Sequence, residues 1–108
     1  MATSFLMVFS EAAAGRESEY NDWYSNTHLA EILALPGFVS AQRFRAGPQQ
    51  LPGHHPATYV ALYEVEGDPA VALKALHDAF PDMQMTDAID MENTSSLMVA
   101  AITERLYS

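Results

Sequence analysis

The stretch Ala57-Thr-Tyr-Val-Ala-Leu-Tyr-Glu-Val-Glu66, followed at once by Gly67-Asp68-Pro69, decides the fold class. Its first part is rich in aromatic and β-branched residues, which favours a strand. The next three residues start a helix, with Asp68 as the N-cap and Pro69 at the first helical position. That helix is predicted to run to about Phe80 and to bury Ala72, Leu73, Leu76 and Phe80. Beyond it, Pro81 to Ser95 is polar and acidic and carries Met83, Met85 and Met91, and Ser96 to about Arg105 reads as a last strand. Upstream lies a Gly-, Pro- and His-containing loop, Gly47 to Pro56, and before it a strand, Phe38 to Arg45. Leu35-Pro36-Gly37 closes a helix predicted from Arg16 to about Ala34. The turn Glu11 to Gly15 separates that helix from a first short strand, Phe5 to Phe9. The order is β-α-β-β-α-β. It predicts an α+β, ferredoxin-like fold, with a four-stranded antiparallel sheet and two helices on one face.

The strands carry apolar residues on both sides. In the third, Ala57, Tyr59, Ala61, Tyr63 and Val65 alternate with Thr58, Val60 and Leu62. In the first, Phe5, Met7 and Phe9 alternate with Leu6 and Val8; in the last, Leu97, Val99 and Ala101 alternate with Met98, Ala100 and Ile102. A sheet covered on one side only should alternate apolar with polar. A second copy, packed sheet against sheet, is the economical cover, so a homodimer is expected; cover of the open face by the tail and loop is the alternative.

The 108 residues suit one domain spanning 1–108. A chain of this size buries roughly 65% of its unfolded surface, enough for a core. With no Cys, a disulfide scaffold, thiolate metal sites and a Cys nucleophile are excluded. A formal charge of −9 argues against nucleic acid or an anionic membrane as partner. Phe5 to Phe9 lacks a basic flank and is too short for a signal-peptide core or a membrane span, so a cytoplasmic location is expected.

The residues fit for chemistry concentrate in Glu19-Tyr-Asn-Asp-Trp-Tyr-Ser-Asn-Thr-His28-Leu-Ala-Glu31. On a regular helix Tyr20, Trp23, Tyr24, Thr27 and Glu31 share one face, with His28 at its edge. Aromatics with polar tips suit a pocket wall, and a His can move a proton near neutrality. Ordinary core packing of the same aromatics is the competing reading. The longer string from Tyr20 through Pro36-Gly37-Phe38 to Phe44 resembles the EthD-like members of the dimeric α+β barrel superfamily. The close match covers about a quarter of the chain, and Ala30 stands where such sequences often carry Pro. The resemblance implies a ferredoxin-like fold, dimerisation through the sheets as a dimeric α+β barrel, and a pocket between sheet and helices. It also implies that His28 matches an acid/base histidine of the isomerase-like members.

Other candidates are less sharply marked. Arg43 and Arg45 share a face of the second strand, and Arg43 is a candidate to hold a carboxylate or enolate oxygen; a surface ion pair is the alternative. His54 and His55 are neighbours in a loop, where at most one should reach a pocket; similar isomerases have a second His from this region. Tyr59 and Tyr63 share a strand face, either towards the helices or towards a partner. No tight ligand spacing points to a metal. His77 borders the second helix's apolar face, where haem-binding superfamily relatives carry an iron ligand.

Together these readings lead to an expected small, cofactor-independent enzyme of isomerase, cyclase or lyase type. His28 and Arg43 would be catalytic, and Tyr20, Trp23, Tyr24, His54, Tyr59 and Tyr63 would bind an apolar, oxygenated ligand of aromatic, polyketide-like or lactone class. The alternatives are a non-catalytic ligand-binding or assembly protein, or a haem- or oxygen-using monooxygenase-like barrel.

Overall fold

The computed structural model of the chain describes residues 3–55 and 57–108; Pro56, the last residue of the predicted loop, lies outside the described residues. Four strands form one sheet: β1 (Ser4–Ser10), β2 (Phe38–Arg45), β3 (Tyr59–Val65) and β4 (Ser95–Ala100). Their order is β2-β3-β1-β4, and every neighbouring pair is antiparallel. Two helices cover one face. The first, α1, is built of Glu17–Trp23, Tyr24–His28 and Leu29–Leu33 in direct succession, and the second, α2, is Pro69–Ala79. This is the ferredoxin-like α+β arrangement predicted from the order of elements.

The local causes are those the sequence advertises. Asp68 caps α2 by accepting the Ala70 N–H at 2.9 Å, with Pro69 just inside the helix. Glu17 and Glu19 place negative charge in the first turn of α1, where the helix dipole favours it. After α1 the chain turns at Gly37, whose φ of 90° is left-handed. A Cβ there would also meet the Ala72 Cβ at 3.1 Å, so Gly37 lets the turn lie against α2.

Tyr59, Ala61, Tyr63 and Val65 of β3 are buried under the helices, with Leu6 of β1 and Phe38 of β2. This settles the face on which the two tyrosines lie. The register of β2 slips between Phe38 and Ser40, a bulge that leaves Val39 over. The slip puts Phe38, Ala41, Arg43 and Arg45 on the helix side together, opposite Val65, Tyr63, Ala61 and Tyr59. The other face of the sheet shows Phe5, Met7 and Phe9 of β1 beside Val60 and Leu62 of β3 and Leu97 of β4.

Two predicted boundaries move by two residues or more. The third strand begins at Tyr59 rather than Ala57, because both its partners end there, at Ser10 and Arg45. The last strand stops at Ala100 instead of Arg105. Its one neighbour is β1, whose first residue, Ser4, already pairs with Ala100; Ala101 adds one more bond, to the Thr3 carbonyl at 2.8 Å. The apolar residues beyond it, Ile102, Leu106 and Tyr107, are exposed. Ala72 of α2 is buried, but Leu73 and Phe80, the latter just past the helix end, are exposed rather than buried, because they border a cavity rather than close packing. No helix among the described residues is long and apolar enough to cross a membrane.

Candidate functional site

The centre of α1 is not a regular α-helix. Tyr24–His28 form a π-helical turn, in which the Leu29 N–H donates to the Tyr24 carbonyl, five residues back. An α-helix turns about 100° per residue, so positions five apart diverge by about 140°. The wider turn cancels much of that divergence. His28 therefore stacks on Trp23 with ring centroids 4.5 Å apart, and meets the edge of Tyr24 at 5.0 Å. The sequence placed His28 at the edge of the face. The π-turn carries it inside, where it is only 6% exposed.

His28 borders a cavity of about 200 Å³ between the sheet and the helices. Leu6 and Val8 of β1, Ile32 of α1, Leu73 and Leu76 of α2, and Phe80 just beyond it make its walls largely apolar. Trp23 and Tyr24 complete the α1 wall, and Thr94, Ser95 and Ser96 lie at the start of β4. The acidic segment between α2 and β4 closes another side with Met85, Ile89 and Met91, so two of its three methionines face the cavity while Met83 packs on the core. That segment is tied down. Ala12 bridges to Ile89, the Ala13 N–H donates to the Ala88 carbonyl at 2.6 Å, and Arg16 pairs with Asp87 at 2.7 Å. The Trp23 indole N–H donates to the Gln84 carbonyl at 2.7 Å, and the Gln84 N–H donates to Glu31 Oε2 at 2.9 Å.

Burial disfavours the imidazolium, so the pKa of His28 is held below the ordinary histidine value, with the Glu31 carboxylate partly opposing the shift. Nδ1 of His28 lies 3.9 Å from Glu31 Oε1, and neither atom has a hydrogen-bond partner. The neighbouring phenols are firmly protonated. Burial pushes Tyr24 up to about 12, and raises Tyr20 and Tyr63 as well. Tyr63 donates to the Tyr24 hydroxyl at 3.4 Å, and Tyr20 shares a short hydrogen bond with Ser10.

The structure brings together Trp23, Tyr24 and His28 at the cavity, and leaves other predicted site residues elsewhere. Arg43 does not border the cavity; its guanidinium lies over the Tyr24 ring, 4.6 Å from the centroid. It also lies over Tyr20 and Tyr59, at 5.2 and 5.5 Å, and donates to Ser25 Oγ at 2.8 Å and to Asn21 Oδ1 at 2.9 Å. With Asn21, Phe44, Arg45 and Tyr59 it borders a separate shallow depression. The cause is topological: β2 is an edge strand, with β3 between it and β1. Tyr59 belongs to that side too, donating to Glu17 Oε2 at 2.8 Å. Tyr20 and Tyr63 are fully buried and act as the layer between the two sides.

His54 and His55 are exposed in the loop before β3, and neither borders the cavity. Among the described residues no three His, Asp or Glu side chains converge as a metal site would need. The His77 side chain is 91% exposed, 3.6 Å from Asp78 and away from the cavity, so the residues here do not fit a haem held through His77. Glu31 and Gln84 were not singled out as site residues from the sequence. The spacing of Glu31, three after His28 on a helix, was the available signal; nothing local marks Gln84.

Across its whole length the chain superposes on the crystal structure of NE2512, a protein of unknown function from Nitrosomonas europaea. The TM-score is 0.55 at 17% identity, covering 100% of this chain and 97% of that one. HapK from Hahella chejuensis matches with a TM-score of 0.50 at 20% identity, covering 100% and 98%. The likeness is of fold alone. No family model matches the chain, and no curated protein matches it in sequence.

Proposed function

We propose that the protein is a small enzyme of isomerase, cyclase or lyase type, in which His28 moves a proton next to a carbonyl. One observation carries the reading. A buried imidazole, kept neutral by its surroundings and backed by a carboxylate at 3.9 Å, borders an otherwise largely apolar cavity. A neutral imidazole is a competent general base, and such a group contributes about 10²–10⁴ in rate. With Nδ1 turned to Glu31, Nε2 is the nitrogen left for a ligand. Trp23 and Tyr24 hold an apolar ring or chain.

Among the described residues no Lys or Arg borders the cavity, which favours a neutral carbonyl compound, a lactone or ketone, over a carboxylate. Arg43 then serves as a brace that locks Tyr20 and Tyr24 from behind, rather than as an oxyanion partner. The resemblance to EthD-like sequences supports the same class, and a homodimer formed through the open sheet face, which carries Phe5, Met7 and Leu62, is part of the proposal. A cytoplasmic, single-domain protein needing no cofactor completes the proposal.

Saturation-transfer NMR with a panel of neutral lactones, phenols and β-diketones tests the site. Ligands should bind the wild type and lose binding in Leu76→Trp, which fills the cavity. Equal binding by both proteins would refute the cavity as the ligand site. Binding without any turnover would favour a carrier over an enzyme.

A further inference from the structure

We propose that Glu31 is the positioning residue of this site: it sets which nitrogen of His28 carries the proton and ties that choice to the segment covering the cavity. The inference rests on the reading of His28 as the base. Its ground is a closed circuit of four residues. His28 faces Glu31 through Nδ1 and Oε1 at 3.9 Å. Glu31 accepts the Gln84 N–H through Oε2 at 2.9 Å. The Gln84 carbonyl accepts the Trp23 indole N–H at 2.7 Å. Trp23 stacks on His28 at 4.5 Å, which closes the circuit. Gln84 therefore binds both partners of the histidine through its own main chain.

Two facing buried polar atoms without partners are unusual in a folded protein. They are complementary if Nδ1 carries the hydrogen and Oε1 carries negative charge. That tautomer leaves the Nε2 lone pair free for a ligand proton. When His28 takes up the proton, the Nδ1–H becomes a charged donor, and an approach of about 1 Å would make a charge-assisted hydrogen bond. Glu31 can make that approach only by drawing on the bond that holds Gln84. Proton uptake and the placing of the covering segment are thus one event.

The electrostatics around His28 are simple. The residues bordering the cavity from β1, α2, the covering segment and β4 are uncharged. On α1 the titratable groups against His28 are Tyr24, whose hydroxyl is engaged by Tyr63, and Glu31.

The test uses nitrogen-15 NMR of the histidines and amide exchange at Gln84, on the full chain and without any substrate. In the wild type, neutral His28 should carry its proton on Nδ1. Glu31→Gln keeps an oxygen for the Gln84 N–H but removes the charge, so the His28 titration should move to lower pH while Gln84 stays protected. Glu31→Ala should do both: move the titration down and speed Gln84 exchange about tenfold or more. A proton on Nε2 in the wild type, or an unmoved His28 titration in Glu31→Gln, would overturn the proposal. A purely structural Glu31 would give that second result. If Glu31→Ala fails to fold, the wild type and Glu31→Gln still decide. No turnover is read, so failure here is distinct from failure of the base assignment, which shows as unchanged catalysis in His28→Ala.

Discussion

Acidification should destabilise the wild type through His28 and should spare His28→Gln from that loss. The imidazole is 6% exposed, and burial keeps its folded pKa below the ordinary value of 6.5. In the unfolded chain the ordinary value returns. Between the folded pKa and 6.5 the unfolded state therefore binds more protons than the folded one. Stability rises with pH through that window: it is fully present above 6.5 and is lost as pH falls towards the folded pKa. One proton gives a slope of at most about 1.4 kcal/mol per pH unit, and a total of about 1.4 kcal/mol for each unit of pKa separation. His28→Gln also loses the stack on Trp23, worth about 0.5–1.5 kcal/mol, but that offset is the same at every pH. The assay is urea unfolding at matched chain concentration, in steps from about pH 8 to about pH 5. The exposed His54, His55 and His77 and the surface carboxylates are common to both proteins and cancel in the difference. The wild type should lose its advantage below about pH 6.5. Parallel curves would refute the buried-neutral reading of His28. A relative gain for the wild type at low pH would refute it more strongly, since the folded state would then favour the imidazolium.

Trp23→Phe removes the donor to the Gln84 carbonyl and should cost about 1–3 kcal/mol, with faster amide exchange across 84–86; unchanged exchange would mean that the indole does not hold the segment. Gly37→Ala forces a left-handed backbone onto a residue with a Cβ and presses on Ala72, so urea unfolding should show a loss above about 1 kcal/mol. Arg43→Ala should lower stability by about 1–3 kcal/mol through lost contacts with Tyr20, Tyr24 and Tyr59, yet leave the His28 titration and ligand binding in place. Loss of binding without loss of stability would return Arg43 to the site. Leu62→Arg, on the open sheet face, should convert a sedimenting dimer into a monomer, and an unaltered sedimentation coefficient would refute that interface.

Most of the fold was legible because its determinants are local. Asp68-Pro69 marks one helix start, Pro36-Gly37 a helix end, and runs rich in aromatic and β-branched residues mark β1 and β3. The end of β4 was not, since the residues beyond Ala100 look like a strand and stop pairing only because β1 has run out. The bulge at Val39 was equally hidden; it follows from pairing register rather than from the composition of β2.

Of the site, Trp23, Tyr24 and His28 could be read from helical spacing, whereas the π-turn that buries His28 could not. In a regular α-helix Trp23 and His28, five apart, point about 140° away from each other, so spacing alone does not stack them. Arg43 and His54 carry suitable chemistry, but reach depends on strand order and loop path. Arg43 lies over Tyr24 without bordering the cavity, and His54 remains in solvent. Gln84 acts through its main chain, which no side-chain pattern reveals.

The most direct test of His28 as the acid/base group is deuterium uptake from D₂O at the carbon next to the carbonyl of the neutral compounds that bind the cavity. Uptake should be catalysed by the wild type and should fall about 10²–10⁴-fold in His28→Ala. A folded His28→Ala that exchanges the same carbon at the wild-type rate would contradict the assignment.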